Sequence, residues 1–227
     1  MVKAILWDVD GTLLDFSAAE KAAIRKLFGE FGLGECTDEM VARYSAISSG
    51  YWKKLERGEI TKAEVLVGRY RDFFSELGID TALAAPFNAR YQIALGDTVI
   101  YRDDSLDIVK SLRGRVNQYV VSNGTIIAQT KKLERSGLGQ WMDGIFLSER
   151  LGAEKPSPQF FRQVFAALPD IPPSDMLIVG DSLTSDMQGG LNAGVPTCWY
   201  NPQSLPRPAD MAIAFEIQNL QQIYELL

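Results

Sequence analysis

Two carboxylates separated by a single residue, Asp8-Val9-Asp10, stand directly after a short apolar run, Ala4 to Trp7, and are followed by Gly11-Thr12. A strand ending there carries both acids out together, and Gly11 lets the chain turn sharply. Such a pair suits phosphoryl transfer. One carboxylate attacks phosphorus to give an aspartyl-phosphate, and the other, kept partly protonated by its charged neighbour, protonates the leaving oxygen and later activates water. The same residues also fit a plain turn or helix cap built from Asp and Gly. An EF-hand fits poorly, because its loop needs a further oxygen ligand, a terminal Glu and flanking helices, whereas an apolar strand precedes Asp8.

Three further polar sets complement that pair. Ser122-Asn123-Gly124-Thr125 closes an apolar run and opens a helix. Its hydroxyl, amide and backbone N–H groups at a helix N-terminus form a site for phosphoryl oxygens, although an ordinary Ser or Thr cap reads the same way. Lys155, before Pro156, would neutralise a nucleophile and a phosphate if it faces them, and is otherwise a solvated surface lysine. In Gly180-Asp181-Ser182-Leu183-Thr184-Ser185-Asp186, Asp181 is placed for a hard cation such as Mg²⁺. Asp186 lies in the next turn, where it would orient Lys155 or a metal-bound water, or simply favour a helix N-terminus.

Histidine is absent from the 227 residues, which excludes a serine–histidine triad, a histidine base and histidine-ligated zinc or haem. Acid–base and metal chemistry therefore fall to carboxylates. A net charge of -6 disfavours a nucleic acid polymer or an anionic membrane as partner, and points to a small substrate. The two cysteines, Cys36 and Cys198, show no metal or redox spacing, consistent with a reduced, cytoplasmic setting. The first apolar run is too short for a signal peptide or a membrane span.

The elements that must position these residues are short β-rich runs: Ala4 to Trp7, Tyr119 to Val121, Ile145 to Leu147, Met176 to Val179 and Thr197 to Tyr200. Helical stretches separate the later ones, which predicts an α/β fold with a mostly parallel sheet and ligands at the carboxyl ends of its strands. Thr61 to Glu64 reads as a capping box, Ser157-Pro158 as a helix start, and Gly137 as the end of a helix beginning near Thr125. Pro196 to Pro208 reads as a late surface loop. From Phe16 to Ala94 apolar residues recur at helical spacing, as in Ile24, Leu27, Phe28 and Phe31, so residues 16–94 read as a helical insertion in a core made of 1–15 and 95–227. Between Val121 and Lys155 there is room for one helix and one strand.

The four motifs, in this order and each at a strand end, resemble those of the haloacid dehalogenase superfamily, matched at Asp8 to Thr12, Ser122, Lys155 and Asp181 to Asp186. The resemblance implies a Rossmann-like parallel-sheet core with an inserted all-helical cap. It implies Asp8 as nucleophile, Asp10 as general acid/base, Ser122, Asn123, Gly124 and Lys155 around the phosphate, and Mg²⁺ held by Asp8, the main-chain carbonyl of Asp10 and Asp181. The dehalogenases that name the group lack the second aspartate, so the presence of Asp10 implies phosphoryl transfer.

In the insertion, Tyr44, Ile47, Tyr51 and Leu55 fall at helical spacing with Trp52 beside them. This stripe reads as the packing face of the cap, or as presenting Tyr51 or Trp52 to stack on a substrate. The stretches Tyr51 to Thr61, Lys132 to Leu138 and Ala193 to Asn201 resemble bacterial pyrimidine 5'-nucleotidases, implying a pyrimidine nucleotide as substrate. Ser48-Ser49 stands where that family often carries an Asn, which bears on specificity. The enzymatic alternatives are a phosphatase for another small metabolite, such as phosphoglycolate, and a sugar phosphomutase. A non-catalytic binding protein is the alternative of another class. The expected assembly is a monomer or homodimer.

Overall fold

The computed structural model describes residues 2–227. In chain order, β1 is Ala4–Trp7, followed by helices α1 (Phe16–Glu30), α2 (Asp38–Glu56), α3 (Lys62–Leu77), α4 (Ala84–Ala94) and α5 (Ser105–Leu112). Next come β2 (Asn117–Ser122), α6 (Ile126–Ser136), β3 (Gly144–Leu147), α7 (Ser148–Leu151) and α8 (Pro158–Ala167). The chain ends with β4 (Met176–Gly180), α9 (Gln188–Ala193), β5 (Thr197–Tyr200) and β6 (Phe215–Ile217). It divides into two compact units: one takes the chain up to Phe16 and again Val99–Leu227, the other is Ser17–Thr98.

The first unit is a six-stranded parallel sheet in the order β3-β2-β1-β4-β5-β6. Its central strands are apolar on both faces. Ala4, Leu6, Met176 and Ile178 pack on one side with Phe160, Phe161 and Val164 of α8. Ile5, Trp7, Leu177 and Val179 pack on the other with Ile108, Val109 and Leu112 of α5. This alternation is the strand period of two made visible, and each fully buried Val, Leu or Ile contributes about 1.5–3 kcal/mol. The chain runs outward from β1 through β2 to β3, then returns to β4 on β1's other side. The direction of the strand order therefore changes between β1 and β4, and the carboxyl ends at such a switch point are where open α/β sheets bind their ligands.

Local signals act as the sequence predicts. Thr61 and Glu64 form the capping box of α3, Ser157 caps α8 with Pro158 in its first turn, and α6 runs from its cap Thr125 to Gly137 in the left-handed conformation. Four features differ. The stretch Pro196 to Pro208 holds the buried strand β5 and is an exposed loop only from Pro202 on. β6 is a strand not anticipated, with Phe215 and Glu216 exposed. The short helix α7 follows β3. Asp186 lies in a π-helical turn, Leu183–Met187.

The second unit is helical, and its core is aromatic. Tyr44 stacks on Tyr70 with ring centres 5.1 Å apart, and Phe28, Phe73, Phe74, Phe87 and Tyr91 are buried around them. In α2 the buried face is Val41, Tyr44, Ser48 and Leu55. Ile47 and Tyr51 lie at its margin rather than in the core. Ser48 is buried because it accepts from Arg69, whose guanidinium is itself buried, stacks 5.0 Å from the Tyr70 ring centre and also donates to Asn88. Among the described residues no helix is long and apolar enough to cross a membrane.

Candidate active site

Asp8 follows β1, and its N–H donates to Val179 O at 2.9 Å, continuing the pairing with β4 past the strand's end. The side chain is buried and meets Lys155, whose Nζ donates to Asp8 Oδ1 at 2.9 Å, Asp186 Oδ1 at 2.6 Å and Val121 O at 2.8 Å. An ammonium has three protons, so Lys155 is fully committed. Burial pushes the Asp8 carboxyl well above the usual carboxylate range, and Asp186 and Asp181 add to this against the opposing pull of Lys155. Burial alone would lower the Lys155 pKa, but Asp186 and Asp8 more than offset it and hold the ammonium above its ordinary value.

Asp181 follows β4. Its N–H donates to the buried Thr12 hydroxyl at 3.0 Å, and that hydroxyl reaches Asp181 Oδ1 at 3.5 Å. The carboxyl opens on solvent, yet desolvation by the protein packed around it and then the charge of Asp186 push its pKa up to about 7. Gly11, at φ +100°, passes so near that a Cβ there would overlap the Asp181 carboxylate. Asp186 accepts from Lys155 on one oxygen and from Ser182 N–H at 3.1 Å on the other.

Carboxylate oxygens of Asp8, Asp181 and Asp186 lie within 4.8 Å of one another. Three acids cluster about one ammonium, and an all-oxygen donor set with surplus negative charge fits a hard divalent cation such as Mg²⁺. Asp186 is bonded on both oxygens, so Asp8 and Asp181 are the more available side-chain ligands, with the Asp10 carbonyl close in the chain.

Asp10 faces the same end of the sheet, but its carboxylate is held by α6: Gln129 Nε2 donates to Oδ2 at 2.6 Å, and Lys132 Nζ donates to Oδ1. Ser122 is buried at the end of β2 and accepts from Gly124 N–H at 3.1 Å, leaving its own proton to donate. Asn123 is spent on Lys155 instead of standing open: its Nδ2 donates to Lys155 O and its Oδ1 accepts from Lys155 N–H, both at 2.8 Å. It clasps the backbone that aims the lysine. At the start of α6, Ile126 N–H donates to the Glu149 carboxylate at 2.5 Å, so an internal acid serves this helix end. Tyr51 and Trp52 lie in the helical unit, where the Tyr51 phenol donates to Asp72 at 2.8 Å.

Sequence reading missed Gln129, Lys132 and the pairing of Thr12 with Asp181. One signal was available: Ala128, Gln129, Lys132, Leu133 and Ser136 form the buried face of α6, and a glutamine and a lysine at i, i+3 on such a face call for a partner.

A parallel sheet carrying this acid–lysine cluster at its switch point places the protein among Rossmann-like α/β proteins that act at the carboxyl edge of the sheet. The chain belongs to the haloacid dehalogenase-like hydrolases, whose family model matches residues 2–194. It is similar to the HAD-hydrolase YfnB of Bacillus subtilis, at 36% identity over 99% of this chain and 95% of that one. A crystal structure of YfnB bound to magnesium, described as revealing interdomain movement, superposes with a TM-score of 0.92 over 100% of this chain and 98% of that one. It is also similar to the pyrimidine 5'-nucleotidases PynA of Streptococcus pneumoniae, at 33% identity over 99% and 94% of the two chains, and YjjG of Escherichia coli, at 26% over 98% and 96%.

Proposed function

We propose that this hydrolase is a phosphatase for pyrimidine nucleoside 5'-monophosphates, working through an aspartyl-phosphate on Asp8. The observation that carries the reading is the Lys155 ammonium held between Asp8 and Asp186 beside Asp181. This is a buried carboxylate with a fixed cation on one side and ligands for a second on the other. An Asp8 oxygen attacks phosphorus, the ester P–O bond breaks, and the leaving oxygen takes a proton from the Asp10 carboxyl. Water then attacks phosphorus, passing a proton to the Asp10 carboxylate. The bond from phosphorus to Asp8 breaks, and inorganic phosphate leaves.

Lys155 offsets the charge gathered on Asp8 and the phosphoryl oxygens, and the Ser122 hydroxyl proton is available to one of those oxygens. Mg²⁺, held by Asp8, Asp181 and the Asp10 carbonyl, would supply further neutralisation of the phosphoryl group and fix its orientation. Unit Ser17–Thr98 is the cap in this reading, and Trp52 its candidate for stacking on the base. The choice of pyrimidine nucleotides is supported by likeness to PynA and YjjG over nearly the whole chain.

A panel of phosphorylated metabolites with released phosphate measured tests the substrate. Best turnover on UMP or dTMP is expected, and preference for phosphoglycolate or a sugar phosphate would overturn the nucleotide assignment. For the mechanism, acid quench with labelled substrate should leave phosphate on Asp8, and Asp8→Asn should abolish both label and turnover while the chain remains folded. Turnover by Asp8→Asn would refute it.

A further inference from the structure

We infer that Lys132 and Gln129 are positioning residues for Asp10, a clamp on α6 that sets where the acid/base carboxylate stands before substrate arrives. The inference rests on the proposed aspartyl-phosphate route, and it assigns a task to two side chains that route does not itself require. Both are buried, Gln129 completely and Lys132 to 2% exposure, on a helix face otherwise made of Ala128, Leu133 and Ser136. Burying an ammonium is costly unless a partner repays it, and the partner here is Asp10 Oδ1. Gln129 Nε2 takes Oδ2 at 2.6 Å, so the two donors grip the two oxygens separately and fix the carboxylate's rotation as well as its place.

The clamp is itself supported. The Phe16 ring centre lies 5.1 Å from Lys132 Nζ, a cation–π contact that steadies the ammonium. Gly124 leaves room for the Gln129 amide, which a Cβ at that position would overlap. The glycine of the Ser-Asn-Gly-Thr turn thus has a steric reason to be there besides the turn. Removing either donor frees a carboxylate whose usefulness depends on standing within hydrogen-bond reach of the leaving oxygen.

The test separates positioning from general damage by the leaving group. A nucleoside monophosphate expels an alkoxide that needs a proton, whereas nitrophenyl phosphate expels an oxygen that needs little help. In single-turnover quench with Mg²⁺ present, Lys132→Met should slow Asp8 phosphorylation by the nucleotide about a hundredfold, and by nitrophenyl phosphate less than about tenfold. KM should be unchanged, and Lys132→Arg should recover most of the rate. Gln129→Glu, isosteric but placing a like charge against Asp10, should show the same selectivity, and it carries the test if Lys132→Met fails to fold. Equal loss on both substrates, or no loss, would overturn the assignment. A wild-type chain that never labels at Asp8 would instead remove the underlying reading.

Discussion

Asp186 Oδ1 sits 2.6 Å from Lys155 Nζ, closer than Asp8 Oδ1 on the same ammonium at 2.9 Å. Lys155 is therefore anchored by Asp186 and shared with Asp8, so the acid placed as nucleophile keeps a counter-charge without monopolising it. Taking the ammonium away leaves two buried carboxylates with no cation. Lys155→Met should cost about 3–5 kcal/mol, because an uncompensated buried charge is dearer than the pair it came from. A chain of this size loses roughly 2–4 °C per kcal/mol, so melting should fall on the order of 10 °C, with turnover lost. A melting curve superposable on wild type would show that the cluster carries no such load.

The surplus negative charge around Asp8, Asp181 and Asp186 predicts a stabilising response to Mg²⁺ in the absence of any substrate. A cation bound only by the folded state stabilises by about 2.7 kcal/mol at a hundred times its dissociation constant. Thermal shift should rise with Mg²⁺ in wild type and stay flat in Asp181→Asn. EDTA should stop turnover and Mg²⁺ restore it, with Ca²⁺ a poor substitute because its looser coordination misplaces the nucleophile. Full activity in chelator would contradict this account of the acids.

Gly11 links the turn after β1 to the acid after β4. Its φ of +100° disfavours a side chain by about 1–3 kcal/mol, and an added Cβ would overlap the Asp181 carboxylate. Gly11→Ala should leave a folded chain with a modestly lower melting temperature. Its Mg²⁺-induced shift should shrink and turnover should fall about a hundredfold, as a displaced ligand misplaces the reacting groups. An unchanged Mg²⁺ response would show that Asp181 can move without consequence.

The sheet was legible because β1, β2, β4 and β5 are buried runs of β-forming residues, each broken by a polar or glycine residue at its carboxyl end. β6 was not, since two of its three residues are exposed and so short a segment shows neither alternation nor a continuous apolar run. Within the site, Asp8 and Asp181 could be nominated because strand ends in a parallel sheet converge on a switch point, and Asp186 lies one turn further on. Lys155 stands eight residues past β3 and beyond α7, so it was nominated by motif order and not by a strand end. What their neighbours do could not be read in either way. Asn123 looks like an anion ligand until Lys155, distant in sequence, is seen to occupy both ends of its amide. Lys132 and Gln129, on the apolar side of α6, signal at most that a partner is needed, and only the fold identifies it as Asp10. Contacts between residues far apart in sequence carry the identity of each partner, which local pattern does not contain.

The adjacent rings Tyr51 and Trp52 were equal candidates for stacking on a base, and the structure of the helical unit separates them. The Tyr51 phenol donates to Asp72 at 2.8 Å and its ring lies against Gly68, where a Cβ would meet it at 2.6 Å, so it is committed to packing α2 on α3. Trp52 is half-buried, its ring centre 6.0 Å from the guanidinium carbon of the buried Arg69, and among the described residues its indole makes no such hydrogen bond to α3. Tyr51→Phe should therefore cost at most about 1 kcal/mol of stability and leave nucleotide turnover alone. Stacking on one base is worth about 1–3 kcal/mol, so Trp52→Ala should raise KM for UMP roughly 5- to 150-fold, with kcat changed less. A small phosphate ester lacking a base should be turned over by that variant as by wild type. Equal loss on both esters would make Trp52 part of the cap's framework and leave the base to be read elsewhere.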